Sequence, residues 1–259
     1  MLKYLILLLA ISGVLSTPVF ADEEIEATSY TVQDLDTGEI IKSHNDQEVR
    51  SIASVTKLMS AIVTLESGLD LDRVIKVKRI KGIKSKLPNN ANLSLHELMH
   101  LSLMSSDNLA TKLLAKNYPG GEDAHVAAMN AKARELSMSN TSFTDPTGLD
   151  ESNVSTAQDL TKLLAHAEHF ELIKHYSTSS DYSIKVRSKK KSRSIDFHTT
   201  NRLVKVNPDI IISKTGWIRK SGGCLVMLVK NQNRRLAVVL LNSKNTKTRI
   251  KDGALLYGT

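Results

Sequence analysis

Apolar and polar positions change their period along the chain, which predicts strands near both ends and helices between them. Residues 29–35 and 39–43 flank the turn sequence Asp36-Thr37-Gly38, so a β-hairpin is predicted there. After Ser54 the apolar residues recur at the spacing of one helix face, and Gly68 is suited to end that helix. The first third of the chain therefore combines a hairpin with a helix.

The middle of the chain is predicted to be helical and the last third to return to strands. Ser94 and Glu97 form a capping-box pattern that opens a helix toward Met104. Further helices are predicted at about 108–116, 123–136, 156–166 and 247–256, and strands at 209–213, 223–230 and 235–241. Strands from both ends can share one sheet, so we expect an α/β (α+β) layered domain with a helical part over one face.

The first residues are typical of an export signal rather than of the folded domain. A short basic start precedes an apolar stretch over 5–15, and Val19-Phe20-Ala21 offers small residues at a cleavage site. We therefore expect 1–21 to be a signal peptide, 22–28 a mobile acidic leader and 29–259 the folded domain of the exported protein.

Charge and cysteine content narrow the function classes. The net charge is +8, and it stays at +7 without 1–21, which hold one lysine and no acid. A basic exported protein can be drawn to anionic wall polymers or, loosely, to lipid headgroups. With aromatics at 4%, nucleic acid is a poor candidate partner. The basic run 187–193 is interpreted as a solvated loop, and Cys224, the single cysteine, as a buried thiol outside any internal disulfide.

Three short motifs stand in order along the chain and suggest a nucleophilic site. They are Ser54-Val55-Thr56-Lys57 (S-x-x-K), Ser106-Asp107-Asn108 (S-x-N) and Lys214-Thr215-Gly216 (K-T-G). Other S-x-x-K and S-x-N matches occur at 188–191, 43–45 and 243–245, but the K-T-G occurs once. One choice alone gives this order with a helix after the first motif and a strand under the last.

The spacing of the first motif suits acyl transfer. Ser54 begins a helix, whose free N–H groups can stabilise an oxyanion, and Lys57 lies one turn further on. An unprotonated lysine can act as base for a serine hydroxyl, but lysine normally titrates near ~10.4. Lowering that pKa by about 2–3 units costs roughly 3–4 kcal/mol, which burial and a nearby cation such as Lys214 can supply.

Around these motifs the sequence resembles the low-molecular-mass penicillin-binding proteins, a family of D-alanyl-D-alanine carboxypeptidases and endopeptidases. The similarity extends over 51–59, 101–110, 143–149, 153–160, 198–204 and 214–227. It implies a DD-peptidase fold with a five-stranded antiparallel sheet, flanking helices and a helical subdomain. It further implies a serine peptidase that acts on peptidoglycan peptides, is inhibited by β-lactam antibiotics and needs no cofactor or metal.

Residue roles follow from the same resemblance. Ser54 would be the nucleophile and Lys57 its general base, and Ser106 would relay a proton to the leaving amine. Asn108 would hold the substrate amide, and Lys214, Thr215 and Gly216 the acyl-acceptor side or terminal carboxylate. The backbone N–H groups of Ser54 and Trp217 would form the oxyanion hole, with the Trp217 side chain packed near the site or in the core. Asp107, the middle residue of the S-x-N, receives no role.

The motifs do not decide which D-alanyl bond the enzyme would cut. The family members that act on cell shape carry a second β-rich domain and an amphipathic anchor, which find no counterpart after the K-T-G here. The sequence is similar to the anchorless endopeptidases of the penicillin-binding protein seven type. This favours cleavage of D-alanyl-diaminopimelate crosslinks by a monomer, while removal of terminal D-alanine remains an alternative.

Three other functions compete with this interpretation. His96-Glu97-Leu98-Met99-His100 is an H-E-x-x-H, the zinc peptidase signature, although the resemblance places it on a helix surface. Glu151 and Asn153 lie where class A β-lactamases carry their deacylating pair, but in a different spacing. A catalytically inert wall-binding module is the non-enzyme alternative.

Overall fold

The computed structural model describes residues 24–187 and 192–258. Its centre is a five-stranded antiparallel sheet in the order β2-β1-β11-β10-β9. The strands are β1 (Ser29–Asp34), β2 (Ile40–His44), β9 (Ile210–Ile218), β10 (Gly222–Asn231) and β11 (Arg234–Ser243). The two ends of the chain meet where β1 pairs with β11, from Ser29 opposite Leu241 to Asp34 opposite Leu236. The predicted hairpin and shared sheet are confirmed.

Both faces of the sheet are buried, which explains why β10 and β11 are almost continuously apolar. Successive side chains of a strand point to opposite faces. Val226 and Leu228 accordingly join the core on the helical side, whereas Leu225 and Met227 join a smaller core on the other face. The side chains of β11 alternate in the same way between the two cores.

Seven α-helices in the described residues surround the sheet. They are α1 (Thr56–Glu66), α2 (Leu95–Met104), α3 (Asn108–Asn117), α4 (Gly121–Glu135), α5 (Ala157–Ala167), α6 (Glu171–Thr178) and α7 (Thr246–Tyr257). Leu256 of α7 is buried in the smaller core, whereas buried residues of α1, α2, α3 and α5 belong to the larger core on the other face of the sheet. None of the helices in 24–187 and 192–258 has both the length and the apolar character to cross a membrane.

Several helices begin at the residues the sequence indicates. The Ser94 hydroxyl accepts a hydrogen bond from the Glu97 N–H, and the Glu97 carboxylate accepts one from the Ser94 N–H, which completes the capping box. The side chain of Thr156 caps α5 through the Asp159 N–H. These contacts involve residues at most three positions apart, so a single sequence is enough to predict them.

Three two-stranded ribbons lie outside the main sheet. They pair β3 (Arg50–Ser51) with β6 (Val154–Ser155), β4 (Val74–Lys76) with β5 (Asn92–Ser94), and β7 (Asp181–Arg187) with β8 (Ser192–His198). The interpretation of 187–193 as a loop was wrong for its flanks, because Arg187 ends β7 and Arg193 lies in β8. Ile184 in β7 and Phe197 in β8 are buried between exposed polar residues. This alternation is typical of strands, but the charged residues of the segment led to the prediction of a loop. Lys189, Lys190 and Lys191 lie outside the described residues.

The N-terminal expectations are only partly covered. The signal peptide over 1–21 lies outside the described residues. Residues 24–28, expected to end a mobile leader, instead contact β11 and α7. Ala27 is buried, the Glu26 N–H donates to Asp252, and the Thr28 hydroxyl donates to the Asn242 carbonyl oxygen. The apolar Ile25 and Ala27 supply the reason, since both join the core beneath α7.

Candidate active site

Ser54 lies in a tight 3-10 turn, Ala53–Val55, that leads directly into α1. The preceding residue, Ala53, has a φ of 47°, which is uncommon for a residue with a side chain and is typical of functional sites. The Thr56 hydroxyl donates to the Ala53 carbonyl oxygen at 2.7 Å and holds the turn. Ser54 is thereby placed at the N-terminal end of a helix, as the sequence predicts.

Two glycines let other segments approach this turn closely. A Cβ on Gly216, in β9, would lie 2.9 Å from the Ile52 oxygen and 3.0 Å from the Ser54 nitrogen. A Cβ on Gly148 would lie 1.8 Å from the Ala53 oxygen. Only a residue without a side chain fits at either position. The glycine of the K-T-G therefore allows β9, an edge strand of the sheet, to lie against the Ala53–Val55 turn that carries Ser54.

Lys57 is completely buried and joins three parts of the chain. Its Nζ donates to Ser54 Oγ at 2.8 Å, to Asn108 Oδ1 at 2.7 Å and to the Thr147 carbonyl oxygen at 2.6 Å. The carbonyl comes from a loop that the Asp145 carboxylate holds by accepting from the Gly148 and Asp150 N–H groups. The S-x-x-K, the S-x-N and this loop thus meet at one amine.

The second lysine approaches from the opposite side of the cleft. Lys214 in β9 is 1% exposed, and its Nζ donates to Ser106 Oγ at 2.9 Å and to the Thr215 carbonyl oxygen at 2.8 Å. Ser106 has a φ of 58°, another left-handed residue in the cleft. The Thr215 hydroxyl donates to Thr200 Oγ1 at 2.6 Å. The structure therefore brings together the three motifs that lie about 50 and 110 residues apart in sequence.

Burial changes the electrostatics of both amines. Desolvation lowers the pKa of Lys57 to about 7, against the opposing attraction of the Asp145 and Asp107 carboxylates. Burial, followed by repulsion from Lys57 and from Arg249, holds the pKa of Lys214 well below its usual value. The expected contribution of Lys214 to the lowered pKa of Lys57 is not among these causes, and the repulsion between the two lysines instead lowers the pKa of Lys214. An amine that loses its proton near neutral pH can serve as a base at Ser54.

Arg249 is a site residue that the motifs do not reveal. It lies in α7, is 4% exposed, and its Nη1 donates to the Gly216 carbonyl oxygen at 3.0 Å. Its Nε has no hydrogen-bond partner in the part of the chain that the structure describes. This third buried basic side chain thereby contacts the backbone of β9 two residues after Lys214. No local pattern marks it, because its position depends on how α7 packs on the sheet.

The remaining predicted residues have mixed outcomes. Asn108 lies at the start of α3, where the Asp107 carboxylate caps the helix by accepting from the Ala110 N–H at 2.9 Å. Trp217 follows the K-T-G in β9, but its side chain is 58% exposed. The alternative that this side chain packs in the core was wrong, because Trp217 is exposed near the end of the edge strand β9.

The H-E-x-x-H residues are engaged in other contacts. Glu97 completes the cap of α2, and His96 Nδ1 lies 2.7 Å from the Tyr176 hydroxyl. His100 is buried, not at a helix surface as expected, because its ring packs between Tyr176 and Tyr182 at centroid distances of 4.6 and 4.2 Å. Burial lowers the pKa of His100 to about 4. Within 24–187 and 192–258, no group of three or more His, Cys, Asp or Glu side chains is arranged to hold a metal ion.

Glu151 and Asn153, the residues compared with the deacylating pair of β-lactamases, lie in different environments. Asn153 is fully buried, and its amide donates to the Asp145 carboxylate and to the Asp150 carbonyl oxygen. Glu151 is exposed. Asn153 therefore shapes the loop that supplies the Thr147 carbonyl to Lys57.

A groove of about 460 Å³ continues from this cleft. Ser106 and Asn108 line it beside the nucleophile, and residues 84–86 and the end of β8 line the rest. The arrangement as a whole offers a serine hydroxyl beside a buried amine, a second amine beside a second hydroxyl, and an open groove for an extended substrate.

Comparison with known proteins agrees with this geometry. A family model described as D-alanyl-D-alanine carboxypeptidase, peptidase family S11, matches residues 16–245. The chain is similar to the D-alanyl-D-alanine endopeptidase of Escherichia coli K12, with 38% identity over 253 residues, 95% of this chain and 81% of the relative.

Two solved structures share the fold. The Streptomyces K15 DD-transpeptidase superposes with a TM-score of 0.85 at 23% identity, over 92% of this chain and 98% of that one. Penicillin-Binding Protein D2 from Listeria monocytogenes, in its ampicillin-bound form, superposes with a TM-score of 0.79 at 24% identity, over 91% and 97%. The expected fold of a five-stranded antiparallel sheet flanked by helices is confirmed.

Proposed function

Because the chain belongs to peptidase family S11, the D-alanyl-D-alanine carboxypeptidases, we propose that it hydrolyses D-alanyl bonds of peptidoglycan peptides through an acyl-enzyme on Ser54. The observation that carries this proposal is the 2.8 Å distance between Lys57 Nζ and Ser54 Oγ, in a buried site where the pKa of Lys57 falls to about 7. The Ser54 hydroxyl is then within proton-transfer distance of an amine that can be unprotonated near neutral pH.

Acylation would begin with transfer of the Ser54 proton to the neutral amine of Lys57. The Ser54 oxygen attacks the carbonyl carbon of the D-alanyl residue, and the N–H groups of Ser54 and Trp217 stabilise the oxyanion. The C–N bond then breaks, and the proton that Lys57 took from Ser54 passes to the leaving amine by way of the Ser106 hydroxyl, so that Lys57 is neutral again before deacylation. The contact of Ser106 Oγ with Lys214 Nζ, at 2.9 Å, would hold the relaying hydroxyl in place.

Deacylation would use the same groups in the opposite direction. A water molecule loses a proton to Lys57 as it attacks the ester carbonyl, and the Ser54 oxygen leaves with a proton. The products are the free carboxylate of the shortened peptide and the released amine.

Substrate orientation would depend on the groups between the two lysines. Asn108 Oδ1 accepts from Lys57, which leaves the amide NH₂ to donate to a substrate carbonyl. Lys214, Thr215 and the N–H side of β9 at Gly216 would bind the carboxylate beyond the scissile bond. The buried Arg249 guanidinium, which contacts the Gly216 carbonyl oxygen, favours an anionic group there.

We favour cleavage of the D-alanyl-diaminopimelate crosslink because the Escherichia coli relative, 38% identical, is a D-alanyl-D-alanine endopeptidase. Release of terminal D-alanine is the second candidate, since the family is described as carboxypeptidase. A β-lactam would acylate Ser54 and leave slowly. The ampicillin-bound Listeria protein of the same fold supports this expectation.

Residues 1–21 are proposed to direct export to the periplasm and 29–259 to form the catalytic domain. We propose that the domain acts there as a monomer, in loose association with the membrane at most. Its basic net charge, +8 over the whole chain, is consistent with attraction to anionic wall polymers.

The acyl-enzyme is tested by mass spectrometry after incubation with labelled benzylpenicillin. The label should be found on the peptide that contains Ser54 and be absent from the Ser54→Ala variant. Chromatography of muropeptides after digestion then separates crosslink cleavage from D-alanine release. Labelling at another residue would contradict the mechanism, and digestion of pentapeptides with intact crosslinked dimers would contradict the preferred substrate. Loss of activity with a chelator and no effect of penicillin would instead indicate zinc chemistry at His96, Glu97 and His100.

A further inference from the structure

The groove beside the nucleophile has charged walls that the reaction steps above do not use. Its lining includes Ser106 and Asn108 from the cleft, the exposed Lys84 and Lys86, and Phe197 and His198 at the end of β8. An extended peptide bound at Ser54 and Asn108 could continue along it. The chemistry of the two lysines is therefore relevant to substrate choice.

The local sequence is strongly basic. Residues 76–86 contain six lysines and arginines and no acidic residue. Lys84 and Lys86 are exposed, and neither forms an ion pair within the described residues. The nearest aromatic contact is the Phe197 ring, 6.0 Å from Lys86 Nζ.

The neighbouring residues fix the direction of these lysines. The Ser85 hydroxyl donates to Asp107 Oδ2 at 2.6 Å, and the Leu87 N–H donates back to Ser85 Oγ at 3.0 Å. Leu87 is fully buried. Because Ser85 is held by Asp107 and Leu87 is buried, the segment is anchored with Lys84, Ser85 and Lys86 lining the groove.

Other charges in the groove do not neutralise them. Among the described residues that line the groove, Asp107 is the only carboxylate, and it accepts from the Ser85 hydroxyl and from the Ala110 N–H. His198 Nδ1 lies 2.6 Å from the carboxylate of Asp181, which also contacts Lys205. Lys84 and Lys86, which have no ion-pair partner in the part of the chain that the structure describes, therefore outnumber the lining carboxylate and give the groove an excess of positive charge.

We propose that Lys84 and Lys86 form a subsite for a carboxylate on the acyl-donor peptide, namely the free side-chain carboxylate of the diaminopimelate that precedes the D-alanyl residue. This group is distinct from the carboxylate beyond the scissile bond, which is assigned to Lys214 and Thr215. The inference rests on the proposed function, because it needs the peptide held at Ser54 and Asn108. It makes the enzyme selective for peptides with free carboxylates over peptides in which the same group is amidated. Amidation removes the charge and leaves the size almost unchanged.

The test compares crosslinked muropeptides that carry free or amidated diaminopimelate. In the variant Lys84→Gln/Lys86→Gln, kcat/KM for the free-carboxylate substrate should fall about three- to tenfold, mainly through KM, as expected for two exposed charge contacts. For the amidated substrate it should change by less than about twofold. Raising the salt concentration from about 0.05 to about 0.5 M should reduce the preference of the natural protein but not of the variant.

The matched control is Lys76→Gln/Lys78→Gln, which removes the same charge from the same basic stretch outside the groove lining. It should keep the preference for the free carboxylate. An equal loss in this control, or an equal loss on both substrates in the groove variant, would overturn the subsite. The rate of Ser54 labelling by benzylpenicillin should be unchanged in both variants. If the natural protein shows no labelling and cuts neither substrate, the proposed function fails rather than the subsite alone.

Discussion

Two pairs of lysines surround the same cleft, and their environments differ almost completely. Lys57 and Lys214 are 0% and 1% exposed and have hydroxyl and carbonyl partners from distant segments. Lys84 and Lys86 lie in solvent and have no hydrogen-bond or ion-pair partner within the described residues. The comparison teaches that position, rather than residue type, decides whether a lysine can act as a base or as a fixed positive charge.

Exchanging lysine for arginine is the strongest way to test this contrast. Arginine keeps the charge but does not lose its proton near neutral pH. Lys57→Arg should lower the rate of Ser54 acylation by about 10³-fold, the usual contribution of a general base. Lys84→Arg/Lys86→Arg should retain the preference for free carboxylates. Acylation by labelled benzylpenicillin and muropeptide kinetics measure the two effects.

Lys57→Met provides the control for the larger arginine head group. It should lose activity to a similar extent, with thermal unfolding showing that each variant is folded. A Lys57→Arg protein that acylates at the natural rate would remove the distinction between the buried and exposed pairs.

Separating β9 from the nucleophile turn is expected to have the next largest effect. In Gly216→Ala the new Cβ would lie 2.9 Å from the Ile52 oxygen, so the strand that carries Lys214 must shift. A displacement of about 1 Å at a reacting group can lower the rate on the order of 10²-fold. Stopped-flow acylation measures the change. Gly258→Ala is the control, because its Cβ would meet no atom closer than 3.6 Å, and equal rates in the two variants would contradict the role of the close approach.

The smallest expected effect is the change of the acylation rate with pH, which depends on the protonation of Lys57 and not on the exposed lysines. Only the neutral amine of Lys57 can accept the Ser54 proton, and its pKa is about 7. The acylation rate should therefore fall about tenfold for each pH unit below 7, as the base becomes protonated. Rates measured from pH 5 to 8 give the midpoint. Lys84→Gln/Lys86→Gln should keep it, whereas a profile that rises toward acid pH would exclude Lys57 as the base.

Local contacts could be predicted well from the chain. The Ser94–Glu97 capping box and the position of Ser54 before α1 depend on residues within about one turn, and both are confirmed. By contrast, α6 and the β7–β8 ribbon were missed, since their signals are short and mixed with charged residues. Missing α6 also led to the wrong expectation for His100, which Tyr176 of that helix covers.

The sequence by itself determined the order of the three motifs, the strands at both ends and the helix that begins after Ser54. Only the tertiary structure decided that Thr147 O reaches Lys57, that Arg249 supports Gly216, and that Lys84 and Lys86 line the groove. The reason is physical. Hydrogen bonds within a turn depend on neighbouring residues, whereas burial and the pKa values that follow from it depend on segments that meet only in the folded chain.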